Sequence, residues 1–148
     1  MEERFKTFTV LIARISRSIR RIKTEEVAEL HLKSPHVSCL YYLYKGKGLT
    51  AKELCDVCDE DKAAISRSIE YLVKEGFVVR GEEENKRYKT HLTLTQKGEA
   101  AAESIVEKID GILDEAGAGL SEADRMNFYK SLALISENLQ KICDEYEK

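Results

Sequence analysis

Apolar positions recur along this chain with two periods, and the changes of period divide it. Phe5, Phe8, Ile12, Ile15, Ile19 and Ile22 are spaced 3, 4, 3, 4, 3, the spacing of a heptad seam rather than a broad stripe. Phe128, Leu132, Ile135, Leu139, Ile142 and Tyr146 repeat it near the other end as 4, 3, 4, 3, 4. Ile105, Ile109, Ile112 and Ala116 mark a third helical face. Arg14, Arg17 and Arg21 lie opposite the first seam and read as a solvated face. A seam at each end predicts that the terminal segments pack together and that a second chain covers the apolar surface left over.

The middle is punctuated differently. Ser34-Pro35 starts a helix with proline in its first turn; it should turn Val37, Leu40, Tyr41 and Tyr44 to one side and end at Gly46 and Gly48. Thr50-Ala-Lys-Glu53 is a capping box, so a short helix runs from there to about Cys58. Asp59 or Asp61 caps the next helix, whose stripe is Ile65, Ile69, Leu72 and Val73 and which stops at Gly76. Phe77-Val78-Val79 and His91 to Thr95 are short β-type runs around a charged tip. Thr95 opens another helix, and Ser121 to Asp124 is a second capping box. The predicted order is helix, helix, short helix, helix, hairpin, helix, helix.

That order predicts a mainly α fold with a small β wing. A winged helix-turn-helix over 35–98 is flanked by terminal dimerisation helices, 1–32 and 99–148, in one protomer of 1–148. In such a module the second helix of the pair leads into the major groove with its N-terminal half. Here that half reads Lys62, Ala63, Ala64, Ser66, Arg67. The alanines permit close approach to base edges, Ser66 can bond to bases or phosphates, and Lys62 and Arg67 bring charge to phosphates and guanine edges.

Charge changes the picture at one point. The chain carries 24 Lys+Arg against 27 Asp+Glu, a balance that argues naively against a polyanionic partner. Residues 99–148 hold 5 basic and 12 acidic residues and residues 1–98 hold 19 and 15. The front part is therefore basic, as a DNA reader with a separate assembly module would be. No apolar run reaches membrane-spanning length. The N-terminal apolar stretch, interrupted by Arg14, does not read as a secretory signal. Four dispersed cysteines do not form a disulfide framework, which points to a reducing cytoplasm.

The run "LTAKELCDVCDEDKAAISRSIEYLVKEGFVVR", followed by "NKR" and "LTLTQKGE", resembles the multiple antibiotic resistance regulator (MarR) family. The resemblance implies a homodimeric cytoplasmic transcription regulator of double-stranded DNA, usually a repressor, released by a small ligand or by oxidation. It places Arg87 at the wing-tip arginine that enters the minor groove, with Lys86 and Lys89 beside it. Asn85 stands where the family usually has an aspartate, which ties the wing to the arginine at the Arg67 position. Effectors in that family sit between the dimer helices and the DNA-binding module, so His36, Tyr41 and Tyr44 are the candidates for lining such a pocket.

No Gly-rich phosphate loop or recognisable triad is present, so the expectation is no enzyme, no cofactor and no metal. Cys55-x-x-Cys58 with His36-x-x-Cys39 offers four ligand types for a tetrahedral site. The short helix nevertheless needs small apolar residues there, and free cysteine is commonly buried as one. The competing class is a winged-helix interaction or thiol/metal sensor protein without sequence-specific DNA binding.

Overall fold

The computed structural model describes residues 3–58, 60–81 and 90–148. The chain divides into two compact units, Met1–Asp110 and Gly111–Lys148.

In the first unit, α1 (Arg4–Lys6) passes through a π-helical stretch, Thr7–Leu11, into α2 (Ile12–Glu26). The Thr7 and Thr9 hydroxyls donate to the carbonyls four residues back, at 3.4 and 2.8 Å. Such side-chain competition for helix carbonyls accompanies local widening and bending. Arg14, Arg17 and Arg21 are exposed or at most half-buried, as a solvated face requires.

Next, α3 (Ser34–Gly46) carries Pro35 in its first turn. Its orphan amide at Lys33 donates to His36 Nδ1 at 2.9 Å. In α4 (Ala51–Cys58), the Glu53 amide donates to Thr50 Oγ1 at 3.1 Å, the expected cap. Asp61 caps α5 (Lys62–Lys74), its carboxylate accepting from the Ala64 amide at 2.7 Å. Asp59, the alternative cap, lies outside the described residues. Gly76, at φ +82°, turns the chain out of the helix in a conformation glycine adopts freely.

The core gathers Leu40, Leu43, Leu54, Ile65, Leu72 and Leu92, all essentially without exposure. The predicted stripe of α5 holds: Ile65, Ile69 and Leu72 are buried and Val73 is half-buried. The face of α3 differs from its prediction. Val37 and Leu40 are buried, but Tyr41 and Tyr44 are only half-buried, while His36, Cys39 and Leu43 are inside. The reason is that α2, α4, α5 and the second strand all pack on α3, so no single stripe describes it.

The wing's base is β1 (Val78–Arg80) antiparallel to β2 (Leu92–Leu94), in the register Val78 with Leu94 and Arg80 with Leu92. Leu49 forms an additional bridge to Leu92, with amide-to-carbonyl distances of 3.2 and 2.8 Å. Thr95 then opens α6 (Gln96–Ala116). Its hydroxyl accepts from the Gly98 amide at 3.0 Å and donates to the Gly76 carbonyl at 2.5 Å. Its own amide donates to the Phe77 carbonyl at 3.0 Å. Lys97 lies 4.4 Å above the Phe77 ring and donates to the Glu75 carbonyl at 2.7 Å. The "LTLTQKG" run thus clamps the end of α5, the first strand and the start of α6 together. Farther along α6, Asp110 accepts from the Tyr41 hydroxyl at 2.7 Å and pairs with Lys45 at 3.4 Å. Burial, more than that carboxylate, pushes the Tyr41 phenol up to about 12.

His36 supplies a pH-dependent element. It is buried, stacked on Tyr71 at 4.5 Å, and its Nδ1 is an acceptor. Burial, then the Lys33 charge, lowers its pKa below the ordinary value of 6.5. The folded state therefore favours neutral imidazole. The resulting stability is present above about pH 6.5 and is lost as pH falls through the lower folded value. The melting temperature is expected to drop on acidification below about pH 6.5, and less steeply in His36→Gln. Parallel Tm profiles for the two proteins would refute this.

In the second unit, Gly119 at φ +93° precedes Ser121, whose hydroxyl accepts from the Asp124 amide at 3.0 Å to cap α7 (Glu122–Glu145). Arg125 reaches Asp114 at 3.9 Å. No residue of α7 is buried. Among the described residues, no helix is long and apolar enough to cross a membrane.

Candidate nucleic-acid interface

The orientation of α5 follows from its composition. Burying Ile65, Ile69 and Leu72 turns Lys62, Ala63, Ser66, Arg67, Glu70 and Lys74 to solvent, with Ala64 half-buried at the edge. The Asp61 cap consumes one of the orphan amides at the front of the helix and fixes where it starts. The predicted reading residues are therefore brought together on one accessible surface. Among the described residues none forms an ion pair with Lys62 or Arg67. Within those residues no salt bridge takes up either charge.

Two cations here were not singled out from the sequence. Lys52 of α4 and Arg80 of β1 border, with Lys62 and Ser66, a groove of about 460 Å³ floored by Ile65 and Ile69. Lys52 sits inside the capping box and Arg80 at the end of an apolar strand, so each looked like ordinary local chemistry. Only the packing of α4 and β1 against α5 places them beside the reading helix.

The wing residues Asn85, Lys86, Arg87 and Lys89 lie outside the described residues. The strands that lead to them are in place, at Arg80 and Leu92.

The three pocket candidates do not share one environment. His36 is enclosed against Tyr71, and Tyr41 is committed to Asp110. Tyr44 borders a cavity of about 410 Å³ between the end of α3 and the start of α6, with Lys47, Thr93 and Glu99. Sequence proximity on α3 grouped side chains that the helix distributes around its circumference.

The cysteines also regroup. Cys39 is fully buried, while Cys55 and Cys58 are half-buried against the core rather than inside it. Among the described residues no set of three or more His, Cys, Asp or Glu is arranged to hold a metal ion.

Residues 32–87 match the model of the MarR family. The HTH-type transcriptional regulator BilQ of Clostridium symbiosum is 29% identical over 113 residues, 74% of this chain and 78% of that protein. A MarR family regulator from Neisseria meningitidis superposes with a TM-score of 0.84 at 20% identity, covering 97% of this chain and 99% of that one. A putative MarR family regulator from Listeria monocytogenes, solved in complex with a 26mer DNA, superposes at 0.81 with 24% identity, covering 94% and 90%. The matched segment contains α3, α4, α5 and the first strand of the wing, the elements whose packing builds the exposed cationic surface. Residues 32–87 thus match the MarR family model, and the chain has the winged-helix fold of the MarR family regulators it superposes on.

Proposed function

We propose that the chain is a cytoplasmic, homodimeric transcriptional repressor that binds a pseudo-palindromic double-stranded DNA site and is released by a small ligand or another signal. The observation that carries this reading is the exposed front of α5, where Lys62, Ala63, Ser66 and Arg67 share one face with no ion-pair partner among the described residues. The Listeria relative's complex with DNA supports it. Two seams of exposed apolar side chains, one on α1 and α2 and one on α7, support the dimer. Its two reading helices address half-sites about 10 base pairs apart, since both must meet one face of the duplex. The family resemblance adds Arg87, with Lys86 and Lys89, as an electrostatic anchor in the flanking minor groove.

Selection of bound fragments from a random DNA pool tests the class. A two-fold consensus is expected; sequence-indifferent recovery would favour the interaction-module alternative. On the selected site, Arg87→Ala is expected to weaken binding to all sequences. It should also flatten the salt dependence by about one log-log unit for each phosphate no longer neutralised. Changes at Ala63, Ala64 or Ser66 should instead alter which sequences are preferred, because a bulkier side chain blocks approach to base edges. Equal affinity and slope for wild type and Arg87→Ala would remove the wing from the interface.

A further inference from the structure

The first helices carry a charge imbalance that solvation alone does not explain. Residues 4–24 hold 7 Lys+Arg and no Asp or Glu. The whole chain has 27 acidic against 24 basic residues, so this stretch runs against its own background. A helix face that meets only water interleaves opposite charges three and four residues apart. Arg14, Arg17 and Arg21 have that spacing with one sign, so they repel one another in the free protein. All three are exposed. Among the described residues no salt bridge takes up any of them, not even from Glu25, one turn past Arg21.

The row has a fixed place. Half-buried Lys23 donates to Ser38 Oγ at 2.8 Å, which pins the end of α2 to α3, and Val27 just beyond is part of the core. Burial lowers the Lys23 pKa, and the carboxylate of Glu60, next to the Asp61 cap of α5, opposes that shift. The end of α2 is thus held beside the start of the reading helix, and the arginines run back along α2 from there. Because they lie opposite the apolar seam, covering the seam leaves them accessible. Arg14 to Arg21 span about 10 Å of helix, the axial rise of about three nucleotides of one strand. All three are arginines, whose planar forks match phosphate oxygens as an ammonium does not.

We infer that Arg14, Arg17 and Arg21 form a second nucleic-acid contact, a row that grips the sugar-phosphate backbone of the duplex whose bases α5 reads. This rests on the DNA-binding reading above and adds to it a contact outside the winged helix-turn-helix. The row carries no base information, since phosphates are alike in every sequence. It contributes affinity and salt dependence, and the bound polyanion relieves the repulsion among the three guanidinium groups.

The test compares the full-length wild type with the triple variant Arg14→Gln, Arg17→Gln, Arg21→Gln on the selected site and on a mixed-sequence duplex, across a salt series. The variant is expected to bind both duplexes about tenfold or more weakly, with a log-log salt slope flatter by about 0.9 for each phosphate no longer neutralised. Fragments selected by the variant should give the wild-type consensus. The variant Arg14→Lys, Arg17→Lys, Arg21→Lys should recover the slope, since it restores the charge. Wild-type affinity and slope in the Gln variant would overturn the inference and leave the DNA-binding reading intact. Failure of the wild type itself to bind duplex DNA would remove that reading and the row together. A Gln variant that light scattering shows to have lost the wild-type oligomeric state would overturn the inference too, and assign the row to the acidic C-terminal part of a second copy.

Discussion

Gly98→Ala is expected to cost about 3 kcal/mol or more in folding stability, as strongly overpacked core positions do. Gly98 is buried in the first turn of α6. A Cβ built there would run into the Phe77 carbonyl oxygen and lie 2.8 Å from its carbon. That obstacle is backbone, and it cannot rotate away. The same carbonyl accepts the Thr95 amide at 3.0 Å, and the Gly98 amide donates to Thr95 Oγ1 at 3.0 Å. Relieving the clash therefore opens the clamp that holds α6 to the wing's base. Gly111→Ala on the same helix is the control. Its Cβ meets nothing within 4 Å, and a helical glycine replaced by alanine is expected to gain roughly 0.5–1 kcal/mol. Chemical denaturation of the two variants should move the midpoints in opposite directions. Equal midpoints would show that the close approach at Phe77 is not what selects glycine.

The double variant Ile15→Glu, Leu139→Glu is expected to yield monomers or insoluble chains. In the single chain Ile15 is 54% and Leu139 49% exposed, and Phe5 reaches 74%. A face of this kind, spaced as a heptad seam on α2 and again on α7, is costly to leave in water when it can be covered. Placing carboxylates at both seams obliges a dimer to bury charges without partners, at several kcal/mol each. Arg17→Glu, on the solvated face of α2, should remain dimeric. Light scattering decides between the cases. A wild-type monomer at micromolar concentration would sink the two-fold DNA geometry with it.

What the sequence disclosed depends on the range over which each feature is determined. The caps at Thr50, Asp61 and Ser121 each act within three residues, and all three are where their motifs put them. The stripe of α5 was legible because one face alone is buried. The α3 face was not, since four neighbours surround that helix and a single-stripe rule has nothing to select. Features joining distant residues were silent. Lys52 and Arg80 join the candidate interface only through packing. The exposed front of α5 was readable in advance because its alanines and cations violate what a plain surface helix would carry.

The bridge between Leu49 and Leu92 has a consequence for how the molecule opens. Leu92 is engaged on both edges, to Leu49 on one side and to the first strand on the other, so β2 is the central strand of a miniature three-stranded arrangement. Its amide and that of Leu49 are shielded from solvent by each other's carbonyls. In native-state deuterium exchange, these two protons should be among the last to be replaced, at a rate shared with the interior amides of α3. Strand and helix then open as one cooperative unit, and the loop after α3 is the seam along which that unit comes apart.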